Sequence, residues 1–266
     1  MKATYTAGPD IHVLPSALPV PGLGDQPVHA FLVRSSLPML VDAGMPVDRD
    51  RFLESLWSLI DPADLHWVVV THDDRDHTGA LAAVLEAAPR VKVLVHALSL
   101  TRLSEEFDIP RERVVTANPG SRVKIGDREL SFHRPPTFDS PGTLAVFDHS
   151  DGTLYSSDSF GTVVEETARE FADLDEADFF HGFDVLNRAI APWTALVDEG
   201  KFLRPLRELA ALRPARLLSA HGPTVREAAV PRLFEAMTRI PSLPAWLPGA
   251  DLDLEAALDA HESRTS

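Results

Sequence analysis

The sequence predicts an α/β fold in which two mixed β-sheets pack together and carry helices on their outer faces. Short β-branched runs come first, between Ile11 and Asp42, and are typical of the strands of a meander. Strands then alternate with helical patterns, and this order roughly recurs in the second half of the chain. Two sheets with helices outside would give such an order of elements.

The predicted strands are short and mostly apolar, and they cover residues 12–14, 28–33, 39–41, 67–70, 91–95, 114–115, 123–125, 130–133, 144–147, 153–156 and 216–219. Proline and glycine between residues 15 and 24 are expected to separate the first two strands. The predicted helices cover residues 48–60, 80–88, 98–107, 167–173, 186–198, 201–212, 225–240 and 252–260. The first of these has Phe52, Leu53, Leu56 and Ile60 on one face.

Composition restricts the class of protein. The 266 residues can bury a sizeable core, and 44% apolar with 24% charged residues is ordinary for a globular chain. The absence of cysteine excludes disulfides, thiolate nucleophiles, cysteine-ligated zinc and iron–sulfur clusters. A net charge of −15 disfavours nucleic acid and anionic membranes as partners. No signal peptide or membrane span is visible, so we expect a cytoplasmic protein.

Residues 66–80, HWVVVTHDDRDHTGA, form the most informative stretch. A buried strand is followed by a dense group of ionisable residues, namely His72, Asp73, Asp74, Asp76 and His77, and then by a helix for which Thr78 is the predicted N-cap. Alternate residues of an extended segment point the same way, so His72, Asp74 and Asp76 can converge, with His77 entering from the turn. Such crowding favours a bound cation, and the alternative is a solvated acidic loop.

The run THDDRDHTGAL resembles the metal-binding signature of the metallo-β-lactamase superfamily. The superfamily usually has histidine where this chain has Asp74, and a carboxylate there is typical of flavodiiron proteins and of stand-alone oxygen-binding diiron proteins. Three further segments are similar to those that carry the family's remaining ligands, namely RPPTFDSPGTLAVFD (134–148), LYSSDSFG (154–161) and LLSAHGP (217–223). Their order and spacing also resemble the diiron branch.

The resemblance implies one metallo-β-lactamase-like domain over residues 1–266, with the αββα sandwich of that superfamily. It also implies a dinuclear site. The expected ligands of the first metal are His72, Asp74 and Asp139, those of the second are Asp76, His77 and His221, and Asp158 bridges the two. Asp139 stands where the family has histidine. His133 is expected to be a strand residue and is the alternative third ligand.

The expected chemistry follows from this ligand set. Four carboxylates and three imidazoles favour two divalent ions of iron, with zinc or manganese as alternatives. The diiron branch implies an oxidoreductase that binds or reduces O2 or NO and has no catalytic residue beyond the metal ligands. No FMN domain is expected because the chain ends at Ser266, so an external electron donor would be needed.

Two other functions remain open. One is a zinc- or manganese-dependent hydrolase of a small ester, lactone, amide or phosphoester. The other is a non-catalytic oxygen sensor or binding protein. A homo-oligomer is compatible with all three readings.

Residues near the motif carry separate predictions. Asp73 is expected to stabilise the loop or support a ligand, with a role as a ligand itself as the alternative. Arg75 is expected to offset the acidic charge, with a substrate contact as the alternative. Asp42 is expected to be structural, with support of a ligand as its alternative role. Core positions are predicted for Phe183 and Trp193, a structural role for His181, and surface or strand-end positions for His66, His96 and His149.

Overall fold

Two β-sheets form the centre of the protein, and each is covered on its outer face by helices. The computed structural model describes residues 1–247. The predicted helix over residues 252–260 lies outside the described residues.

The first sheet contains seven strands that follow one another in chain order. They are β1 (Tyr5–Thr6), β2 (Ile11–Val20), β3 (Gly24–Val33), β4 (Met39–Val41), β5 (Trp67–Val69), β6 (Lys92–Val95) and β7 (Val114–Thr116). Strands β1 to β4 pair antiparallel, and β4 to β7 pair parallel. The helices of this half are α1 (Arg49–Leu59), α2 (Arg75–Thr78), α3 (Leu81–Ala87) and α4 (Ala97–Leu103).

The second sheet contains six strands in the order β13-β12-β11-β10-β9-β8. They are β8 (Arg122–Ile125), β9 (Arg128–His133), β10 (Ala145–Asp148), β11 (Thr153–Tyr155), β12 (Arg216–Leu218) and β13 (Val225–Arg226). Among the described residues, β11 and β12 pair parallel and the other neighbours in this sheet pair antiparallel. The helices of this half are α5 (Glu176–Ile190), α6 (Glu199–Ala211) and α7 (Val230–Arg239).

Alternating side chains along the strands build three apolar layers. Val41 and Val69 belong to the core between the sheets, whereas Leu40 and Val68 belong to the core beneath the helices of the first half. A third core joins the second sheet to α5, α6 and α7. Because successive strand residues point to opposite faces, strands buried on both faces are apolar at every position. The predicted α/β sandwich with helices on both outer faces is confirmed.

The first hairpin is longer than predicted, since β2 continues through Pro15 and ends at Val20. Beyond Val13, β2 pairs only with β3 and is therefore an edge strand. His29, the residue opposite Pro15, donates its backbone N–H to Ala220 instead. Proline has no N–H to donate, and this edge position does not require one.

Two helix predictions in the second half were wrong. Residues 167–173 contain a β-bridge at Glu170 and a 3₁₀ turn at Phe171–Asp173 instead of a helix. The helix predicted for residues 186–198 covers the end of α5, which begins at Glu176, and a 3₁₀ helix at Pro192–Leu196. The side chain of Asp175 caps α5 by accepting the N–H groups of Ala177 and Asp178. The helix predicted for residues 225–240 opens as strand β13, and α7 begins at Val230.

The loops that matter for function leave one edge of the sandwich. These loops follow β4 and β5 in the first sheet, and β9, β11 and β12 in the second. Within residues 1–247, no helix is both long enough and apolar enough to cross a membrane.

Candidate metal centre

All seven predicted ligand residues meet at this edge of the sandwich. They form three overlapping groups whose ligand atoms lie within 4.8 Å of one another, namely His72–His77–Asp158, Asp76–His77–His221 and His72–Asp74–Asp139. Four of the seven come from the loop and short helix after β5. Asp139 comes from the β9–β10 loop, and Asp158 and His221 follow β11 and β12. Both sheets therefore contribute to one cluster.

Asp158 lies between the imidazoles and turns one oxygen to each side. Its Oδ1 is 3.0 Å from His77 Nε2 and 3.4 Å from His221 Nε2, while its Oδ2 is 3.5 Å from His72 Nε2. The carboxylate is almost fully buried. A carboxylate placed in this way can hold two cations at once, one through each oxygen.

The first side of the cluster combines one imidazole with two carboxylates. His72 Nε2 lies 4.0 Å from both Asp74 Oδ2 and Asp139 Oδ1. The side chains of Asp74 and Asp139 are 45% and 34% exposed. This side of the cluster is open to solvent.

The second side combines two imidazoles with one carboxylate. Asp76 Oδ2 lies 3.5 Å from both His77 Nε2 and His221 Nε2. Both histidines are buried. The side chain of Asp76 is 29% exposed, so this side of the cluster reaches solvent only through Asp76.

Asp42 fixes the orientation of His77. Its Oδ2 lies 2.9 Å from His77 Nδ1, and it also accepts the backbone N–H and the hydroxyl of Thr71, both at 2.8 Å. Asp42 has a positive φ of 61°, which aims the carboxylate from the end of β4 towards the cluster. With Nδ1 carrying the proton, Nε2 is left with a free lone pair. The alternative role for Asp42, support of a ligand, is therefore the one its geometry favours.

The free nitrogen of His77 is the clearest indication of a missing partner. His77 Nε2 is buried and has no hydrogen-bond partner, because its short approach to Asp158 lacks the alignment of a hydrogen bond. A buried nitrogen without a partner is costly in a folded protein. A metal ion between Asp158, Asp76 and the imidazoles would satisfy it.

Burial and the charges within the cluster shift the pKa values of several of its members. Burial alone would raise the pKa of Asp158, but the imidazoles of His72 and His77 hold it well below its usual range. Burial opposes protonation of His77, yet Asp76, Asp42 and Asp158 raise its pKa well above its usual value. Burial and the charge of Asp158 raise the pKa of Asp139 to about 6. In the absence of metal, protons on His77 and His221 offset part of the carboxylate charge, so metal binding would compete with protons.

Asp73 has the loop-stabilising role predicted for it. It accepts hydrogen bonds from Ser99 Oγ at 2.6 Å and from Arg102 Nη1 at 3.0 Å, and both donors lie on α4. Arg102 Nη1 also lies 3.5 Å from Ser140 Oγ, next to Asp139. Arg102 therefore connects the two loops of the open side. Arg75 points elsewhere and forms an exposed ion pair with Glu106.

The sequence did not indicate how the Asp139 loop is held. Trp193 donates its indole N–H to the carbonyl of Phe138 at 2.8 Å, and the two rings lie 4.8 Å apart. Arg134 lies over the ring of Phe138 and donates to the carbonyls of Pro141 and Thr143. Trp193 was predicted as core but is only half-buried, and its polar end braces this loop.

The other histidines among residues 1–247 lie outside the cluster. His133 is a strand residue, as predicted, and bonds to Ser131 Oγ at 2.8 Å within the second sheet. His149 contacts the same hydroxyl. His96 is a strand-end residue that caps α4 through its Nδ1, and His66 and His181 are exposed. Phe183 is core, as predicted.

Thr78 is not the N-cap that the sequence predicted. It is the last residue of α2, and its hydroxyl donates to the carbonyl of Asp74. The chain turns into the short helix α2 at Asp74, earlier than expected. His77 is therefore presented by a helix.

Comparison with known proteins agrees with this fold and cluster. The putative diflavin flavoprotein A 1 of Thermosynechococcus vestitus is 31% identical over 202 residues, which cover 74% of this chain and 34% of that protein. The anaerobic nitric oxide reductase flavorubredoxin of Vibrio vulnificus is 23% identical over 171 residues, which cover 64% of this chain and 35% of that protein. The chain thus spans about a third of the length of these curated relatives.

A solved structure supports the fold. The rubredoxin oxygen:oxidoreductase of Desulfovibrio gigas matches with a TM-score of 0.78 at 18% identity, over 90% of this chain and 61% of that one. The family model described as "ODP family beta lactamase" matches residues 27–201, more than half of the chain. The predicted resemblance is confirmed, and the chain belongs to the ODP family of β-lactamase-fold proteins.

Proposed function

We propose that this chain holds a non-haem dinuclear iron centre that binds O2 or NO and reduces it with electrons from an external donor. The observation that carries the proposal is the position of Asp158, which turns one oxygen to His72 and the other to His77 and His221. His72, Asp74 and Asp139 would hold the first iron, and Asp76, His77 and His221 the second.

The donor set fits two divalent cations. Its four carboxylates balance four positive charges, and the unpartnered Nε2 of His77 supplies a lone pair where the second cation would lie. A set that mixes carboxylates with imidazoles suits iron or manganese better than an all-imidazole zinc pocket does. Iron is favoured here because the chain belongs to a family whose relatives include a named nitric oxide reductase and a named oxygen oxidoreductase.

The bound iron pair would supply the redox chemistry, and the protein would position the metals and control access to them. A small diatomic molecule can enter beside Asp74 and Asp139, the open side, while the buried histidines shield the other side. Reduction of one O2 to two waters takes four electrons and four protons. The chain has no cysteine to ligate an iron–sulfur cluster, so we assign the supply of electrons to a donor outside it.

The test uses protein loaded with iron and reduced under anaerobic conditions. Exposure to O2 or NO should change its near-ultraviolet absorption, and sustained gas consumption should require an added reductant. Asp158→Ala should abolish the response, whereas Asp64→Ala, a change at an exposed site outside the cluster, should leave it intact.

The same experiment separates the alternatives. An absorption response without turnover under any reductant would indicate an oxygen-binding protein. If protein containing two irons per chain responds to neither gas, the redox proposal is wrong. Turnover of a small ester or lactone by the zinc- or manganese-loaded protein would then identify a hydrolase.

A further inference from the structure

We infer that the two metal positions are unequal: the first is an exchangeable position that takes a hard divalent cation such as Mn²⁺ or Fe²⁺, and the second retains Zn²⁺ or Fe²⁺ tightly. The inference rests on the proposed dinuclear site and goes beyond it, because it predicts a centre that can hold two different metals. Three independent features of the residues distinguish the two positions.

The donor atoms differ. Apart from the shared Asp158, the first position offers one imidazole, His72, and two carboxylates, whereas the second offers two imidazoles and one carboxylate. Imidazole suits zinc and iron, while carboxylate oxygens suit the harder manganese ion. Asp139 causes this difference, since a histidine at this place would give both positions the same donor types.

Access to solvent also differs. Both unshared carboxylates of the first position are at least a third exposed, and the carboxylate of the second position, Asp76, is 29% exposed beside two buried imidazoles. Water and chelators can therefore reach a metal held by Asp74 and Asp139 directly. A metal held by His77 and His221 can be reached only past Asp76.

The support behind the imidazoles differs as well. His77 Nδ1 is held by the carboxylate of Asp42 at 2.9 Å, and His221 Nδ1 lies 2.8 Å from the carbonyl of Pro27. Behind His72, the nearest groups are neutral hydroxyls, with Ser157 Oγ at 3.1 Å from Nδ1 and Thr71 Oγ1 at 3.4 Å. Carboxylate and carbonyl acceptors increase the basicity of an imidazole ligand and fix its tautomer.

Loss of a group that hydrogen-bonds to a metal ligand typically changes the metal affinity by about 10- to 100-fold. We expect the metal affinities of the two positions to differ by a factor of that order.

The test measures metal content without using activity. Metal-free protein receives one equivalent of Zn²⁺, then excess Mn²⁺, and native mass spectrometry resolves the species after removal of free metal. Nearly all of the protein is expected to hold one zinc and one manganese. Equal and independent positions would instead leave about half of the chains with two zinc ions or two manganese ions, and that distribution would overturn the inference.

Chelator kinetics give a second measurement. Zinc-saturated protein should lose its two ions in two phases whose rates differ by about tenfold or more. Asp74→Ala should remove the fast phase alone, and His221→Ala should remove the slow phase. Asp139→His should bring the two rates together and reduce the mixed species to about half of the chains, while Asp108→His, at an exposed site, should change neither result.

The outcomes separate this inference from the proposed function. If both metals dissociate at one rate and Asp139→His has no effect, the inference that the two positions are unequal is wrong. The proposed dinuclear centre would be unaffected by that result. Wild-type protein that retains no metal under any loading would overturn both.

Discussion

The substitution Asp42→Asn tests whether the orientation of one imidazole controls the second metal position. Asparagine tolerates the positive φ of this residue, and its side-chain oxygen can still accept the backbone N–H of Thr71. The amide nitrogen that replaces Oδ2, however, cannot accept a hydrogen bond from His77 Nδ1. His77 would then carry its proton on Nε2, the atom that faces Asp158 and Asp76.

A protonated Nε2 cannot ligate a metal. Loss of such a supporting carboxylate typically lowers metal affinity by about 10- to 100-fold, which corresponds to about 1.4–2.7 kcal/mol. The slow phase of zinc release should therefore accelerate by about that factor, while the fast phase, which belongs to the position around His72, should stay unchanged. Asp64→Asn, on the surface, serves as the matched control.

Two results would refute this reasoning. If Asp42→Asn leaves both release rates at their wild-type values, Asp42 has no influence on His77. If both zinc-release rates rise equally while circular dichroism shows a folded protein, Asp42→Asn acts on the whole site and not through the imidazole of His77 alone.

Three further predictions follow from single residues. Asp158→Ala should reduce metal binding at both positions, while His221→Ala should empty mainly the second; elemental analysis checks both, and full occupancy of Asp158→Ala would contradict a bridging role. Trp193→Phe removes the 2.8 Å bond to the Phe138 carbonyl and should cost about 1 kcal/mol in urea unfolding, with faster release of the first metal; unchanged release would mean that Trp193 does not position Asp139. His29 is buried without a hydrogen-bond partner for its ring, and burial lowers its pKa to about 4 from 6.5. Because only the unfolded state is protonated in that interval, stability should fall as pH drops from 6.5 towards 4, by up to about 3 kcal/mol. His29→Phe should lose this part of the pH dependence, and parallel unfolding profiles for the two proteins would disprove it.

The strands of the fold could be predicted because local patterns determine them. Met39–Val41 and Trp67–Val69 are apolar runs bounded by turn residues, and both are strands as expected. The hairpin over Ile11–Val20 and Gly24–Val33 was underestimated because proline normally ends a strand. Its edge position, which removes the need for the missing N–H, depends on how the strands are arranged in space.

Helix α5 could have been found from the sequence. Asp175 before Glu176 is an N-cap signal, and Phe179, Phe183 and Leu186 recur at helical spacing. Gly182 weakened that pattern. In the folded protein it is required, because a Cβ there would lie 1.7 Å from the carbonyl oxygen of Val163. A close approach between distant segments of this kind has no local signature.

The residues of the cluster also divide into those that a local sequence pattern indicates and those that only the fold brings together. The stretch from His72 to His77 indicated a cation site because its residue types and spacing lie within one loop. Asp42 and Trp193 were assigned other main roles, since their contacts with the cluster and its loops span 35 and 55 residues of sequence. Side chains that orient ligands leave no mark on the local pattern, and their roles emerge only from the folded geometry.

The proposed ligands come from both sheets, and this has a consequence for stability. His72 to His77 follow a strand of the first sheet, while Asp139, Asp158 and His221 follow strands of the second, so metal bound as proposed would cross-link the two halves of the fold. Metal present at about a thousand times its dissociation constant would add about 4 kcal/mol to the free energy of unfolding. The survival of the chain against proteases would then follow the metal supply of its surroundings, and a shortage of metal would lower its abundance as well as empty its site.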